Sequence, residues 1–237
     1  MNAKLCFWFV LALVGIGMLS AGCSKENGTD AITAPHNEQR QLEKAMVYKD
    51  PLKWPTSISD FQWPFGAYDE IHGICGVPWK IICGYNEGLH INDSYPAGGR
   101  YSLDFERADR RDWTRYSWVL APARGVVVYS GWKTGYGWCV VIDHDYGHTG
   151  RRYTSIVSHL ESDPRRWVNV GNDLRAGTFL GYCGSSGGNW PPHIHFSIWQ
   201  NGKSVPLTGV SGDYSIVKYG IYYSGNMAVR PPANSPW

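Results

Sequence analysis

Two histidines separated by one residue, His193 and His195, form the most informative pattern in the sequence. They lie in the segment Pro-Pro-His-Ile-His-Phe-Ser-Ile at 191–198, where they alternate with large apolar residues. Side chains two apart in a strand share one face, so both imidazoles would face away from a core. Two imidazoles on one face of a strand suit a site in which one binds a metal ion and the other accepts a proton. Two surface histidines on an exposed strand are the competing interpretation of this pattern alone.

A second candidate, His159, ends the apparent strand 153–160. Alternation along that strand predicts that His159 shares a face with Tyr153, Ser155 and Val157. Strand ends at the rim of a sheet commonly carry functional residues. Taken alone, a rim histidine with ordinary hydrogen-bond partners explains the pattern equally well.

The third candidate is a carboxylate, Asp104, which lies between Leu103 and Phe105. A carboxylate flanked by large apolar side chains needs a partner, either a metal ion or a nearby arginine. A histidine, His90, precedes it in the segment Gly-Leu-His-Ile-Asn at 88–92.

These segments together resemble the lysostaphin-type (LytM) zinc metallopeptidases, which have a His-then-Asp motif, a later His-Leu and a final His-x-His. The usual first motif, His-x-x-x-Asp, would place Arg100 at the histidine position. The closer resemblance is to the staphylolysin-like, β-lytic subgroup. Its longer first motif is similar to Gly88–Asn92, Tyr95-Pro96 and Ser102-Leu103-Asp104.

The resemblance implies one Zn²⁺ held by His90, Asp104 and His195, with a fourth position for water. Zinc lowers the pKa of bound water toward ~7. It also implies that His159 and His193 are the catalytic pair, without assigning which one is the base. The expected reaction is hydrolysis of peptide bonds in bacterial peptidoglycan, at glycyl or D-amino-acid crosslinks.

The elements that must position these residues are short strands. The 28 Gly and 14 Pro are spread along the chain, and apolar runs at 118–132, 138–144, 153–160 and 193–199 are separated by turn residues. Asn201-Gly202 predicts a hairpin turn leading into 203–207. We therefore expect a mainly β, antiparallel, two-sheet or barrel-like domain, duplicated hybrid motif-like by the resemblance. An irregular lead-in at 54–88, rich in Trp, Pro and Gly, precedes it.

The N-terminus indicates export. Lys4 precedes an apolar run of 15 residues at 5–19, shorter than the ~20 needed for a membrane span. The following Leu-Ser-Ala-Gly-Cys resembles a bacterial lipobox with Cys23 as the lipidated residue. We expect a signal peptide at 1–22, a flexible tether at 23–45 and a metallopeptidase domain at 46–237, with its catalytic core at about 85–207. The lipid would hold the protein at a membrane facing the periplasm or cell wall; ordinary secretion and a retained anchor are the alternatives.

Four further cysteines, Cys75, Cys83, Cys139 and Cys183, would share an oxidising compartment and are disulfide candidates. Pairing of Cys75 with Cys83 would close a short loop, and Cys139 with Cys183 could join neighbouring strands. A four-cysteine zinc site lacks the usual C-x-x-C spacing.

The net charge of +2 and the absence of a long basic run give no indication of a nucleic-acid partner. We expect a monomer that acts on wall peptides. Two other functions fit the sequence: a non-catalytic LytM-like module that binds the wall or activates a hydrolase, and a surface protein whose aromatic residues bind glycans.

Overall fold

The computed structural model describes residues 49–69, 71–72, 74–93 and 98–226. The predicted signal peptide, Cys23, the tether and the Tyr95-Pro96 pair lie outside these residues. No helix in the described residues is long and apolar enough to cross a membrane.

Short β-strands dominate the described part of the chain, and every pair of strands in it runs antiparallel. The strands are β1 (Tyr68–Asp69), β2 (Ile74–Cys75), β3 (Trp79–Cys83), β4 (Leu103–Arg107), β5 (Trp118–Leu120), β6 (Gly125–Lys133), β7 (Gly137–Asp143), β8 (Tyr153–Leu160), β9 (Asp173–Leu174), β10 (Phe179–Tyr182), β11 (Ile194–Gln200), β12 (Lys203–Ser204) and β13 (Ile221–Tyr222). Single 3-10 turns lie at Ile58–Asp60, Arg111–Trp113, Pro164–Arg166 and Val210–Gly212. The predicted mainly β, antiparallel fold is confirmed.

The largest sheet has the strand order β13-β3-β4-β11-β8-β7-β6-β9, with β12 paired to β11. Strands β5 and β10 form a separate pair, as do β1 and β2. The described strands do not close into a barrel. Strand β11 lies at the centre of the large sheet, between β4 and β8. This position explains why the His-x-His segment meets residues from distant parts of the chain.

The core lies on one face of this sheet. Ile194, Phe196 and Ile198 of β11 are fully buried in it, as the alternation in the sequence predicts. Val119 of β5 and Leu180 of β10 belong to the same core. The opposite face of β11 is thereby left for polar side chains.

The lead-in is more ordered than the sequence indicates, because its aromatic residues fill this core. The Trp63 ring packs against Phe105, Phe196 and Tyr222, with ring centroids 5.2, 6.3 and 5.7 Å away. Its indole nitrogen donates to Asp213 at 2.7 Å. The aromatic segment before the motifs therefore supports the sheet from the core side.

The predicted hairpin after β11 is present. Asn201 and Gly202 both have positive φ, 52° and 77°, as a tight two-residue turn requires. The turn pairs Gln200 with Lys203. Local turn chemistry was sufficient to predict this element.

The predicted disulfides do not form, since Cys83, Cys139 and Cys183 are all free thiols. Leu160 of β8 pairs with Trp138, the residue before Cys139, on one side and with Cys183 on the other. Strand β8 therefore lies between Cys139 and Cys183, so the two cysteines are two interstrand spacings of ~4.8 Å apart. This distance exceeds the Cα separation of about 7 Å that a disulfide tolerates. Cys75 pairs with Tyr68 in the β1–β2 ribbon, whereas Cys83 ends β3 of the large sheet.

Candidate metal centre

Two of the predicted ligands meet across neighbouring strands. His195 of β11 is the direct antiparallel partner of Asp104 in β4. Because opposed residues in a sheet point to the same face, both side chains leave the sheet on the side away from the core. His195 Nδ1 lies 2.9 Å from Asp104 Oδ1.

The third predicted ligand, His90, comes from the loop that follows β3. A turn brings the ring inward: the His90 amide donates to the Glu87 carbonyl at 2.7 Å, and Gly88 has a positive φ of 53°. The ring Nδ1–H donates to the Gly84 carbonyl at 3.1 Å, so Nε2 is the ring nitrogen that faces the site. His90 is thus oriented by backbone carbonyls before any ligand binds.

The three donor atoms lie close enough to share one ion. His90 Nε2 lies 3.2 Å from His195 Nδ1 and 3.3 Å from Asp104 Oδ1, and the third separation is the 2.9 Å already given. A tetrahedral zinc site with bonds of 2.0–2.1 Å has ligand separations of about 3.3 Å. Two imidazoles and a carboxylate are a donor set that zinc accepts. The residues therefore fit the predicted ion in chemistry and in spacing.

The electrostatics of the site centre on Asp104. Burial opposes its ionisation, but hydrogen bonds from His195 and His90 outweigh this and hold its pKa well below the usual range. Burial likewise opposes protonation of His90, yet its contacts with Asp104 and Cys83 raise the pKa of His90 to about 10. The carboxylate is a permanent negative charge in a buried site, which favours a cation there.

His193, the other member of the His-x-His pair, lies just before β11 and bridges to Gly184. Its Nδ1–H donates to the Pro191 carbonyl at 2.8 Å, which leaves Nε2 as an acceptor. That Nε2 lies 3.8 Å from Asp104 Oδ2, at the edge of the ligand cluster. His193 is placed to receive a proton beside the ion without being one of the three nearest donors.

His159 reaches the site by a route that the sequence pattern did not predict. Val157 faces the core opposite Phe196, so regular alternation would send His159 to the core as well. An irregularity in the β7–β8 pairing lies between Trp138 and Val140, and His159 has a φ of 62°. This bulge turns the ring to the site face, where its centroid is 4.6 Å from that of His193. The predicted shared face with Tyr153, Ser155 and Val157 is therefore wrong.

His159 is held as a neutral acceptor. Its Nδ1–H donates to the Ser186 carbonyl at 2.8 Å. Burial, together with the neighbouring rings of His193 and His195, lowers the pKa of His159 to about 3. In both His159 and His193, Nδ1–H donates to a backbone carbonyl, so Nε2 is the ring nitrogen available to accept a proton.

Aromatic residues enclose the pair of acceptors. The Trp190 ring packs edge-on to His159, with centroids 5.0 Å apart, and lies 6.1 Å from His193. Tyr136 lies 5.7 Å from His195, and its carbonyl accepts from the His159 amide. These aromatic side chains form walls that hold the histidine rings that they contact.

A glycine that the motifs did not single out, Gly98, lies against the rings of two predicted ligands, His90 and His195. A Cβ at this position would be 3.1 Å from His195 Cε1 and 3.4 Å from His90 Cδ2. Its φ of 78° also disfavours any side chain. Close backbone approach therefore sets the position of both rings.

Cys83 is the residue at this site that sequence reasoning assigned elsewhere. It lies opposite Asp104 across β3 and β4, after a register shift that follows Ile81. Its Sγ and donor atoms of His90 and Asp104 lie within 4.8 Å of one another. The spacing Cys-x₆-His was a possible signal, but a cysteine in an exported chain suggested a disulfide instead.

Two other histidines have structural roles. His72 stacks on Trp113, with centroids 3.7 Å apart, and contacts Asp69 at 2.9 Å. His144 is fully buried. Neither contributes to the cluster.

Comparison with known proteins covers the residues of this site that come later in the chain. Residues 112–207 match Peptidase family M23. The matched region includes His159, His193 and His195, whereas His90 and Asp104 precede it. The match supports the predicted lysostaphin-type resemblance at the level of family M23, and the family supports the prediction of one zinc ion.

Curated relatives are similar over the same part of the chain. The murein hydrolase activator EnvC of Escherichia coli is 36% identical over 87 residues, which are 37% of this chain and 19% of EnvC. The DD-carboxypeptidase/endopeptidase Mpg of Neisseria meningitidis is 34% identical over 93 residues, 39% of this chain and 20% of Mpg. The chain spans about one fifth of the length of these relatives.

Among solved structures, a putative peptidase M23 from Pseudomonas aeruginosa aligns with 76% of this chain and 60% of its own, at 20% identity and a TM-score of 0.44.

Proposed function

We propose that this protein is a zinc-dependent endopeptidase that hydrolyses peptide bonds in bacterial peptidoglycan. The observation that carries the proposal is the convergence of His90, Asp104 and His195, whose donor atoms lie 2.9–3.3 Å apart, with the imidazoles of His159 and His193 beside them. The match to family M23 supports the reaction class.

The chain's own residues divide the work of hydrolysis. His90, Asp104 and His195 would hold zinc, which supplies a Lewis acid that polarises a carbonyl and makes water acidic. His159 and His193 offer Nε2 lone pairs, so either can accept the proton of the attacking water and return it to the leaving amine. Their Nδ1 bonds to Ser186 and Pro191 keep these lone pairs in place.

The names of the relatives support a cell-wall substrate. Mpg is named as a DD-carboxypeptidase/endopeptidase and EnvC as a murein hydrolase activator, and both names refer to cell-wall chemistry. The Trp190 ring packs beside the buried rings of His159 and His193 and could contact a substrate bound there. We propose glycyl or D-amino-acid crosslinks of the wall as substrates.

The rival function is a non-catalytic module that activates a separate hydrolase, and the name of EnvC favours it. Such a module has no need for a complete set of ligands and acceptors. In this chain all five predicted positions carry residues suited to catalysis. This completeness favours the enzyme.

To distinguish the two functions, the purified chain is incubated with soluble wall peptides in the absence of any other hydrolase. Cleavage products should appear by mass spectrometry, disappear with a chelator and return on adding zinc. Products that form only when a second hydrolase is present would support the activator and overturn the proposal.

We further propose that the chain is exported and anchored through lipid on Cys23, with residues 23–45 as the tether. The short apolar run and the lipobox-like residues before Cys23 support this location. Metabolic labelling with a palmitate analogue should modify the wild-type chain and leave Cys23→Ser unlabelled.

A further inference from the structure

Cys83 belongs to the ligand cluster by its position in the sheet. It pairs with Asp104, which in turn pairs with His195, so the three residues form one row across β3, β4 and β11. A register shift that follows Ile81 lies in this row. Ile81 pairs with Phe105 and the next pair is Cys83 with Asp104, so β3 advances by two residues where β4 advances by one. Without this shift Ile82, and not Cys83, would stand opposite Asp104. The bulge re-aims the thiol toward the ligands.

The loop after β3 holds the thiol and His90 together. Cys83 Sγ donates to the Glu87 carbonyl at 3.6 Å, and the Glu87 carboxylate accepts from the Gly84 amide at 2.8 Å. A Cβ on Gly88 would lie 3.4 Å from Sγ. The same turn therefore orients both Cys83 and His90, and its glycine gives the sulfur room.

We propose that Cys83 is a fourth protein ligand of the metal, so that the resting site is closed by a thiolate. This inference rests on the zinc site of the proposed function. Its Sγ lies within 4.8 Å of the donor atoms of His90 and Asp104. In a tetrahedral site with a Zn–S bond of about 2.3 Å, sulfur lies about 3.5 Å from the other ligands. The separations of Sγ from the His90 and Asp104 donors therefore exceed those of such a site by at most about 1.3 Å.

Ligation is a balanced exchange. The thiol S–H bond breaks, its proton leaves to solvent, and sulfur takes the position that water would occupy. Binding of a wall peptide then requires the thiol to leave and recover a proton. Cys83 is in this sense a cap on the site, with no change in oxidation state.

The test is X-ray absorption at the zinc edge on the full chain, with Cys83→Ser and, as a matched control, Cys75→Ser, whose exposed cysteine lies in a different sheet. Wild type and Cys75→Ser should each show one sulfur scatterer at about 2.3 Å. Cys83→Ser should show only nitrogen and oxygen at about 2.0–2.1 Å. It should also lose zinc to a chelator at a concentration at least about tenfold lower, since a ligand contributes no less than its outer-shell partners.

A wild-type zinc shell without sulfur would overturn the cap and leave the proposed function standing, with Cys83 reduced to a neighbour of His90. Wild-type protein that binds no zinc would overturn both proposals. Circular dichroism on Cys83→Ser distinguishes a lost ligand from a lost fold.

Discussion

His195 stands directly opposite Asp104 in two neighbouring strands, with Nδ1 and Oδ1 2.9 Å apart. The pairing register of β4 and β11 thus sets the relative position of the imidazole and the carboxylate proposed as ligands. His90, which no strand carries, completes the cluster from a loop. A rigid pair and one loop residue make a site that can form before the ion binds.

This geometry predicts which variants lose metal. Asp104→Asn removes the negative charge, and His195→Ala removes a donor, so either should reduce bound zinc from stoichiometric to a small fraction of the chain. Metal content after dialysis, by mass spectrometry, gives the measurement. His148→Ala, at an exposed histidine that stacks on Trp54, is the control and should retain zinc. An Asp104→Asn protein with full zinc would remove the carboxylate from the ligand set.

A different outcome is expected for the two acceptors. His159→Ala and His193→Ala remove a proton acceptor and leave the three ligands in place, so each should retain zinc while kcat for wall-peptide cleavage falls by ~10²–10⁴-fold. Steady-state kinetics beside metal analysis checks this. Stoichiometric loss of zinc from His193→Ala would instead make His193 a ligand.

The contact of Gly98 with two ligand rings gives a prediction about backbone shape. Gly98→Ala should displace the rings of His90 and His195 and weaken zinc binding about tenfold or more, as perturbing ligand-positioning groups does. Gly147→Ala is the matched control, because its φ of 83° carries the same backbone cost of about 1 kcal/mol while nothing lies within 4 Å of the added Cβ. Chelator competition measures the affinity. Equal zinc affinity in both variants would show that the rings tolerate the methyl group.

The sequence was sufficient where local chemistry decides the structure. Alternation placed Ile194 and Phe196 in the core, and Asn201-Gly202 formed its hairpin. It was insufficient where strand pairing decides. The bulge that redirects His159 and the register that places Cys83 beside Asp104 depend on how each strand pairs with its neighbour in the sheet. Alternation along one segment cannot reveal them, which is why one histidine was given the wrong face and one thiol the wrong partner.

His144 gives a prediction about acid stability. It is buried in the core, with Nδ1–H donating to the Arg124 carbonyl and Nε2 accepting from the Ser155 hydroxyl, both at 2.7 Å. Burial lowers the pKa of His144 to about 4 from an ordinary value of 6.5. Between pH 6.5 and about 4, His144 therefore binds a proton in the unfolded chain but not in the folded chain. The contribution of neutral His144 to the free energy of unfolding is fully present above that pH. As the pH falls toward about 4, the free energy of unfolding decreases by up to about 3 kcal/mol.

Replacing this histidine should flatten the acid dependence. His144→Gln keeps hydrogen-bonding groups without a titrating ring, so its free energy of unfolding should change less between pH 7 and pH 4.5 than that of the wild type. His148→Gln, four residues along the chain, should follow the wild-type curve. Urea unfolding at each pH, monitored by tryptophan fluorescence, supplies the free energies. An equally steep loss of stability in His144→Gln would mean that other groups, and not this buried imidazole, destabilise the fold in acid.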